Sequence, residues 1–231
     1  MRSSFSKNDS WQKGYAYDGY DRMLGELSQR AYNLVLGGTL AWGFIINAII
    51  CLFFGELIFS IPPQILLIGY LISAFVGVLM TMRSQSPLVS FIGYNLVVLP
   101  LGAVLTLLVS VYDPDIVLLT MLITAIVVVG LTICAALFPR IFLALGPTLG
   151  VTLLLTLLAS LICSLVGIVP AWLDLVVALL FCGYIGYDFS RAQKKVKTLD
   201  SAIDSACELY VDIVNLFIRI LAIVDRSSKR R

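Results

Sequence analysis

Asp188, Asp212 and Arg83 are the residues best placed to handle a proton in a chain that contains no histidine. Asp188 closes the run Gly183-Tyr184-Ile185-Gly186-Tyr187-Asp188, and Asp212 sits inside the apolar stretch from Glu208 to Arg219. In that stretch Glu208, Asp212, Asn215 and Arg219 recur at i, i+4, i+7 and i+11, which is one face of a helix. Ser205 extends the stripe by a turn. Charge at membrane depth is costly, so each such residue marks a site or a buried partner. Two aspartates that approach one another cannot both ionise cheaply, and one proton comes to be shared. In the absence of imidazole, a coupled carboxylate pair is the available way to sense protons near neutrality. Arg83 would stabilise whichever ionised aspartate it contacts, and protonation would weaken that contact and release a helix. The simpler alternative is that Asp188 and Arg191 only end a span at the interface, with Lys194 and Lys195 solvated nearby. Glu208 reads equally well as a second-layer carboxylate or as an interfacial residue.

Such a stripe can exist only if something hides it. The chain has 231 residues, 60% of them hydrophobic and 13% charged, and a mean hydropathy of +0.99. Soluble domains carry about 25% charged residues, so an integral membrane protein is expected. Without histidine, imidazole triads and histidine-bearing zinc or haem sites are excluded. The five cysteines form no C-x-x-C pair and read as small buried hydrophobes. No resident cofactor is expected, and a net charge of +2 gives no reason to invoke nucleic acid.

A bilayer core of about 30 Å needs roughly 20 apolar residues per helix. Six spans follow, at Ala31–Phe54, Gln64–Met82, Pro87–Val111, Ile116–Phe138, Ile141–Gly167 and Ala171–Asp188. A seventh, Ile203–Val224, is apolar but charged. The expected organisation is an N-terminal segment over 1–30, a seven-helix transmembrane domain over 31–224 and a basic tail over 225–231. The breaks at Pro62-Pro63, Asp113-Pro114-Asp115, Pro139 and Gly167 to Pro170 predict short connections between antiparallel neighbours. Pro100 and Gly146-Pro147 fall inside spans, where kinks are expected.

Basic residues set the orientation. Arg2, Lys7, Lys13, Arg22 and Arg30 precede span one, Arg83 follows span two, Arg140 follows span four, and Arg191, Lys194, Lys195 and Lys197 follow span six. The opposite loops carry only Glu56, Asp113, Asp115 and, just inside span six, Asp174. The N-terminus is therefore expected in the cytoplasm. The basic tail of Arg226, Lys229, Arg230 and Arg231 would then lie outside if segment seven crosses, which is the arrangement favoured. Tyr15, Tyr17 and Tyr20 with Asp18 and Asp21 read either as an interfacial aromatic cluster or as a disordered tail. Segment seven starts on the side where Arg83 and Asp188 end their spans. Asp212 lies about nine residues in, roughly 13 Å at the helical rise, so the three could cluster.

At Tyr187-Asp188 and Leu209-Tyr210-Val211-Asp212-Ile213-Val214-Asn215-Leu216-Phe217 the sequence resembles the Bax inhibitor-1 family, in its bacterial branch. The likeness covers roughly residues 30 to 225. It implies an all-α polytopic fold of seven transmembrane helices with the last enclosed by the other six, in a bacterial plasma membrane. It also implies a pH-sensitive calcium leak channel whose sensor pairs Asp188 with Asp212, latched by Arg83. Calcium as permeant ion comes from the resemblance, although deep carboxylates suit a hard cation. Glu208 and Asn215 are candidates for lining its path; the lipid bilayer and calcium are the expected partners.

Two other classes compete with an ion channel. An aspartyl intramembrane protease would use one carboxylate as acid and the other as base. Such proteases, however, carry Gly-x-Gly-Asp where this chain has Leu209-Tyr210-Val211-Asp212. A non-conducting adaptor regulating a protease or stress pathway would rely on the N-terminal aromatic and acidic segment. A proton-coupled transporter lacks support, because no inverted repeat is evident.

Overall fold

The computed structural model describes residues 26–167 and 170–229. The aromatic cluster of Tyr15, Tyr17 and Tyr20, the basic residues Arg2, Lys7, Lys13 and Arg22, and Arg230 and Arg231 lie outside the described residues. The described chain folds into eight helices: α1 Gln29–Phe53, α2 Gly55–Phe59, α3 Pro63–Arg83, α4 Pro87–Val109, α5 Pro114–Leu137, α6 Pro139–Val166, α7 Ala171–Ala192 and α8 Leu199–Ser228.

The breakers in the sequence become helix starts. Pro63, Pro87, Pro114 and Pro139 each open a helix, and Pro170 precedes α7. Proline suits that place because its ring presets φ and the first turn has no use for its missing N–H. Asp113 caps α5 through its carboxylate on the Asp115 N–H at 2.9 Å. Thr198 and Ser201 form a reciprocal capping box that starts α8. Pro100 and Pro147 lie inside α4 and α6, both of which continue through them. The short α2 occupies what the sequence marks only as a connection.

Six of the long helices are apolar enough to cross a membrane. Their outward faces are hydrophobic, with Leu71 and Phe75 of α3, Leu118 and Ile126 of α5 and Leu158 and Leu165 of α6 all exposed. α8 is the inverse. No residue from 200 to 226 is exposed, although the helix carries more charge than any other. It is packed by α1, α4, α5 and α7, while α3 lies outside on α4 and α6 lies outside on α7. The last helix is thus enclosed, with four helices supplying the direct wall and two standing behind them.

Two apolar clusters hold α8 in place. Tyr32 and Leu36 of α1 and Ala178, Ile185 and Ala192 of α7 pack on Ala202, Ala206, Leu209 and Leu216. Tyr94, Val97, Val98 and Leu101 of α4 pack on Ile203, Cys207, Tyr210 and Val214. Tyr94 and Tyr210 meet edge to face with centroids 5.7 Å apart, a favoured aromatic geometry.

α8 spans 30 residues, about 45 Å at the helical rise, and exceeds the expected Ile203–Val224 at both ends. Contacts of Lys195 with Ser205 and of Asp174 with Arg226 mark its antiparallel register along the whole of α7. Its C-terminus therefore emerges at the end of the bundle opposite the start of α1.

Glycine sets the outermost layer. A Cβ added to Gly93 of α4 would sit 2.7 Å from the carbonyl oxygen of Gly77 on α3 and 3.0 Å from Met80 Cβ, so the two backbones touch through small residues. Gly93→Val should destabilise the bundle by about 1–3 kcal/mol, read as a lower unfolding temperature in detergent. Gly69→Ala on the same α3, where the added methyl meets nothing, should cause no loss.

Candidate functional site

α7 continues a turn beyond Asp188, so this aspartate does not end its helix at the interface. Both aspartates are buried, Asp188 at 8% exposure and Asp212 at 7%. Their carboxyl groups lie within hydrogen-bonding reach across the α7–α8 contact. An ionised carboxylate only accepts hydrogen bonds, so a bond between the two requires a proton on one of them. The Oδ2 atom of Asp212 is buried and meets no hydrogen-bond donor among the described residues.

The cations around this pair differ from those expected. Arg191 Nη1 lies 3.9 Å from Asp188 Oδ1, one turn along α7. Arg191 Nη2 also donates to Glu208 Oε1 at 3.3 Å, and Lys195 Nζ donates to Glu208 Oε2 at 3.1 Å and to Ser205 Oγ at 3.2 Å. Glu208 is thus ion-paired with both Arg191 and Lys195. Arg83 stands apart. It is exposed at the end of α3, beside Met80, Ser84 and Val89, and forms no ion pair among the described residues. The expected contact with Asp188 is not made, because α3 packs on α4, and α4 in turn packs on α8. Asn215 stays on the polar stripe but donates its amide to the Val211 carbonyl of its own helix at 2.8 Å.

A second polar cluster closes the far end of the same helix pair. Asp174, 5% exposed, accepts from Arg219 Nη1 at 3.0 Å and lies 2.5 Å from Arg226 Nη1. The sequence marks Asp174 only as an acidic residue near the outer loop, and the pairing escaped notice. The signal was present: once Asp188 faces Asp212 in an antiparallel pair, Asp174 must face the region of Arg226. A third group joins α4 to the start of α8, where Ser90 donates to Asp200 at 2.7 Å. No set of three or more metal-ligating Cys, Asp or Glu side chains converges among the described residues.

The polar face of α8 is thus answered on one side, by α7. On the side away from Asp212, Val214 and Phe217 line a cavity bounded by α1, α4 and α5. The acid pair and the cavity are separated by α8 itself.

Removing the buried carboxylate at the far end leaves two guanidinium groups facing each other. Asp174→Ala should lower stability by roughly 1.5–3 kcal/mol, the range for hydrogen bonds to charged groups. The loss should appear as a lower midpoint of thermal unfolding, and Glu208→Gln, a more exposed site with two cationic partners, should cost less.

This chain is similar to known proteins. The family described as the inhibitor of apoptosis-promoting Bax1 matches residues 25–229. Protein LIFEGUARD 3 of Arabidopsis thaliana is 43% identical over 49 residues, which is 21% of this chain and 19% of the relative. Protein LIFEGUARD 1 of the same plant is 39% identical over 49 residues, 21% of this chain and 20% of the relative. The aligned stretch spans about a fifth of each relative, whereas the family match runs from before α1 to the last turn of α8. The chain belongs to the Bax inhibitor family, as a multi-pass membrane protein.

Proposed function

We propose that this protein is a calcium leak channel whose closure depends on the protonation of Asp188 and Asp212, in a bacterial plasma membrane with the N-terminus in the cytoplasm. The observation that carries the reading is the approach of the two buried carboxyl groups across α7 and α8. With one proton the pair forms a hydrogen-bonded clasp of net charge −1, and Arg191 and the Lys195–Glu208 pair supply the surrounding field. A second proton removes the charge that attracts Arg191 and loosens this end of α8. The open state then binds more protons than the closed one, so acidification favours opening. The Asp174 cluster would hold the opposite end while this happens. A latch by Arg83 would require α3 and α4 to shift relative to α8, so Arg191 takes that part in the closed form.

The same closeness would suit an acid–base dyad cleaving a transmembrane peptide. That chemistry also needs water and a substrate beside the dyad. Here Arg191, Glu208 and Lys195 flank the pair, and the large cavity lies across α8.

Calcium flux into proteoliposomes should rise several-fold as the pH falls from about 8 to about 6. Asp212→Asn replaces the shared proton with a permanent amide donor to Asp188, so only Asp188 remains to take a proton and the rise in flux should move to lower pH. Absence of flux at every pH, or an unchanged profile in Asp212→Asn, overturns the channel reading. Cleavage of a transmembrane peptide by the wild type but not by Asp212→Asn would establish the dyad instead.

A further inference from the structure

Arg191 stands between two acids and reaches them unequally. Its Nη2 donates to Glu208 Oε1 at 3.3 Å, whereas its Nη1 lies 3.9 Å from Asp188 Oδ1, beyond hydrogen-bonding distance. Glu208 thus competes with the acid pair for the nearest cation. How strongly it competes depends on Lys195. That ammonium carries three donors and directs them at Glu208 Oε1, Glu208 Oε2 and Ser205 Oγ, at 3.3, 3.1 and 3.2 Å.

Lys195 does not take this place by itself. It belongs to the turn after α7, and that turn is tied to the start of α1. The Leu27 N–H donates to the Lys197 carbonyl at 2.6 Å. Gln29 donates its side-chain amide to that of Gln193, and Gln193 Nε2 donates to Asn33 Oδ1 at 3.2 Å. Deeper in, the fully buried Tyr32 reaches the Ser201 carbonyl at 3.3 Å and donates to Ser205 Oγ at 3.2 Å. Ser205 Oγ is the atom that also receives Lys195. Polar contacts therefore run without a break from Tyr32 of α1 through Ser205, Lys195, Glu208 and Arg191 to Asp188. Other ionisable groups face this path. Asp204 lies near Lys195 but forms no ion pair with it among the described residues, and Tyr184 faces the two aspartates. α4 sends Ser90 to Asp200, and α5 brings to this end only the exposed Cys134.

We propose that Lys195 is a positioning residue of the Asp188–Asp212 clasp: by holding Glu208 it leaves Arg191 to Asp188, so that the seating of α1 on the α7–α8 turn, through Tyr32 and Ser205, sets the pH at which the clasp takes its second proton. With Glu208 occupied by Lys195, Arg191 is shared and opposes protonation of Asp188. Without Lys195, Glu208 draws Arg191 away and the second proton binds at higher pH. Loss of Glu208 has the opposite sign, because Arg191 then has Asp188 alone. The inference rests on the shared-proton clasp proposed above but not on calcium conduction, and its test reads protonation alone.

The full-length protein in liposomes is titrated with acid while infrared difference spectra follow the protonated carboxyl band that both Asp188→Asn and Asp212→Asn alter. Lys195→Met should raise the midpoint of that band by about one pH unit, and Glu208→Gln should lower it. Tyr32→Phe, which removes only a hydroxyl, should move it in the same direction as Lys195→Met by a smaller amount. The double variant Lys195→Met/Glu208→Gln decides the matter: its midpoint should equal that of Glu208→Gln alone, because Lys195 acts through Glu208. An equal shift by Lys195→Met in both backgrounds would mean that its charge acts on the pair directly, and would overturn the proposal. A titrating band whose midpoint Lys195→Met leaves unmoved overturns this proposal alone. Absence of any band altered by the two aspartate substitutions removes the clasp and the proposal with it.

Discussion

Hydrocarbon cannot solvate charge, and the rest of this architecture follows from that. α8 carries Asp204, Glu208, Asp212, Asn215, Arg219, Asp225 and Arg226 within one membrane-length helix. It can exist at that depth only if protein replaces lipid all the way round. α1, α4, α5 and α7 supply that replacement, and their own outer surfaces are free to be greasy. The usual partition of a soluble protein is inverted: large apolar side chains face outward, and the polar helix lies at the centre.

Within that shell the two ends of the α7–α8 pair are built differently. At one end Asp174 meets two guanidinium groups, so opposite charges face each other there. At the other end two carboxyl groups meet, and their hydrogen bond exists only while a proton is shared. An ion-paired end and a proton-dependent end on the same helix make a hinge and a clasp, which is the mechanical basis of the proposed gating. The apolar side of α8 is tied to the rest through Tyr210, Asn47 and Tyr94.

The membrane class, the six apolar spans, the breaks between them and the inward polar stripe were all legible in the amino-acid sequence. These properties are local: they depend on transfer free energies and on periodicity along one segment. The likeness at Tyr187-Asp188 and around Asp212 also pointed to the family and to two aspartates whose carboxyl groups approach one another across α7 and α8. Arg83 was assigned a partner from its depth and from the family resemblance, neither of which gives its lateral position. Depth fixes only one coordinate, and α4 stands between it and the pair. Asp174 looked like a loop acid because its partners lie some 45 to 52 residues away in sequence, near the end of α8.

The sequence by itself thus determined what must be buried and roughly how deep, since hydrophobicity and the helical period belong to each segment alone. Tertiary structure decided which buried group meets which: Asp188 with Asp212, Glu208 with Lys195, Asp174 with Arg219 and Arg226, and Asn47 with Tyr210. Those pairings depend on the rotation and lateral order of helices around α8. Rotation and order are set by close packing between segments, such as Gly93 on Gly77 and Tyr94 on Tyr210, and such packing has no signature within any one segment.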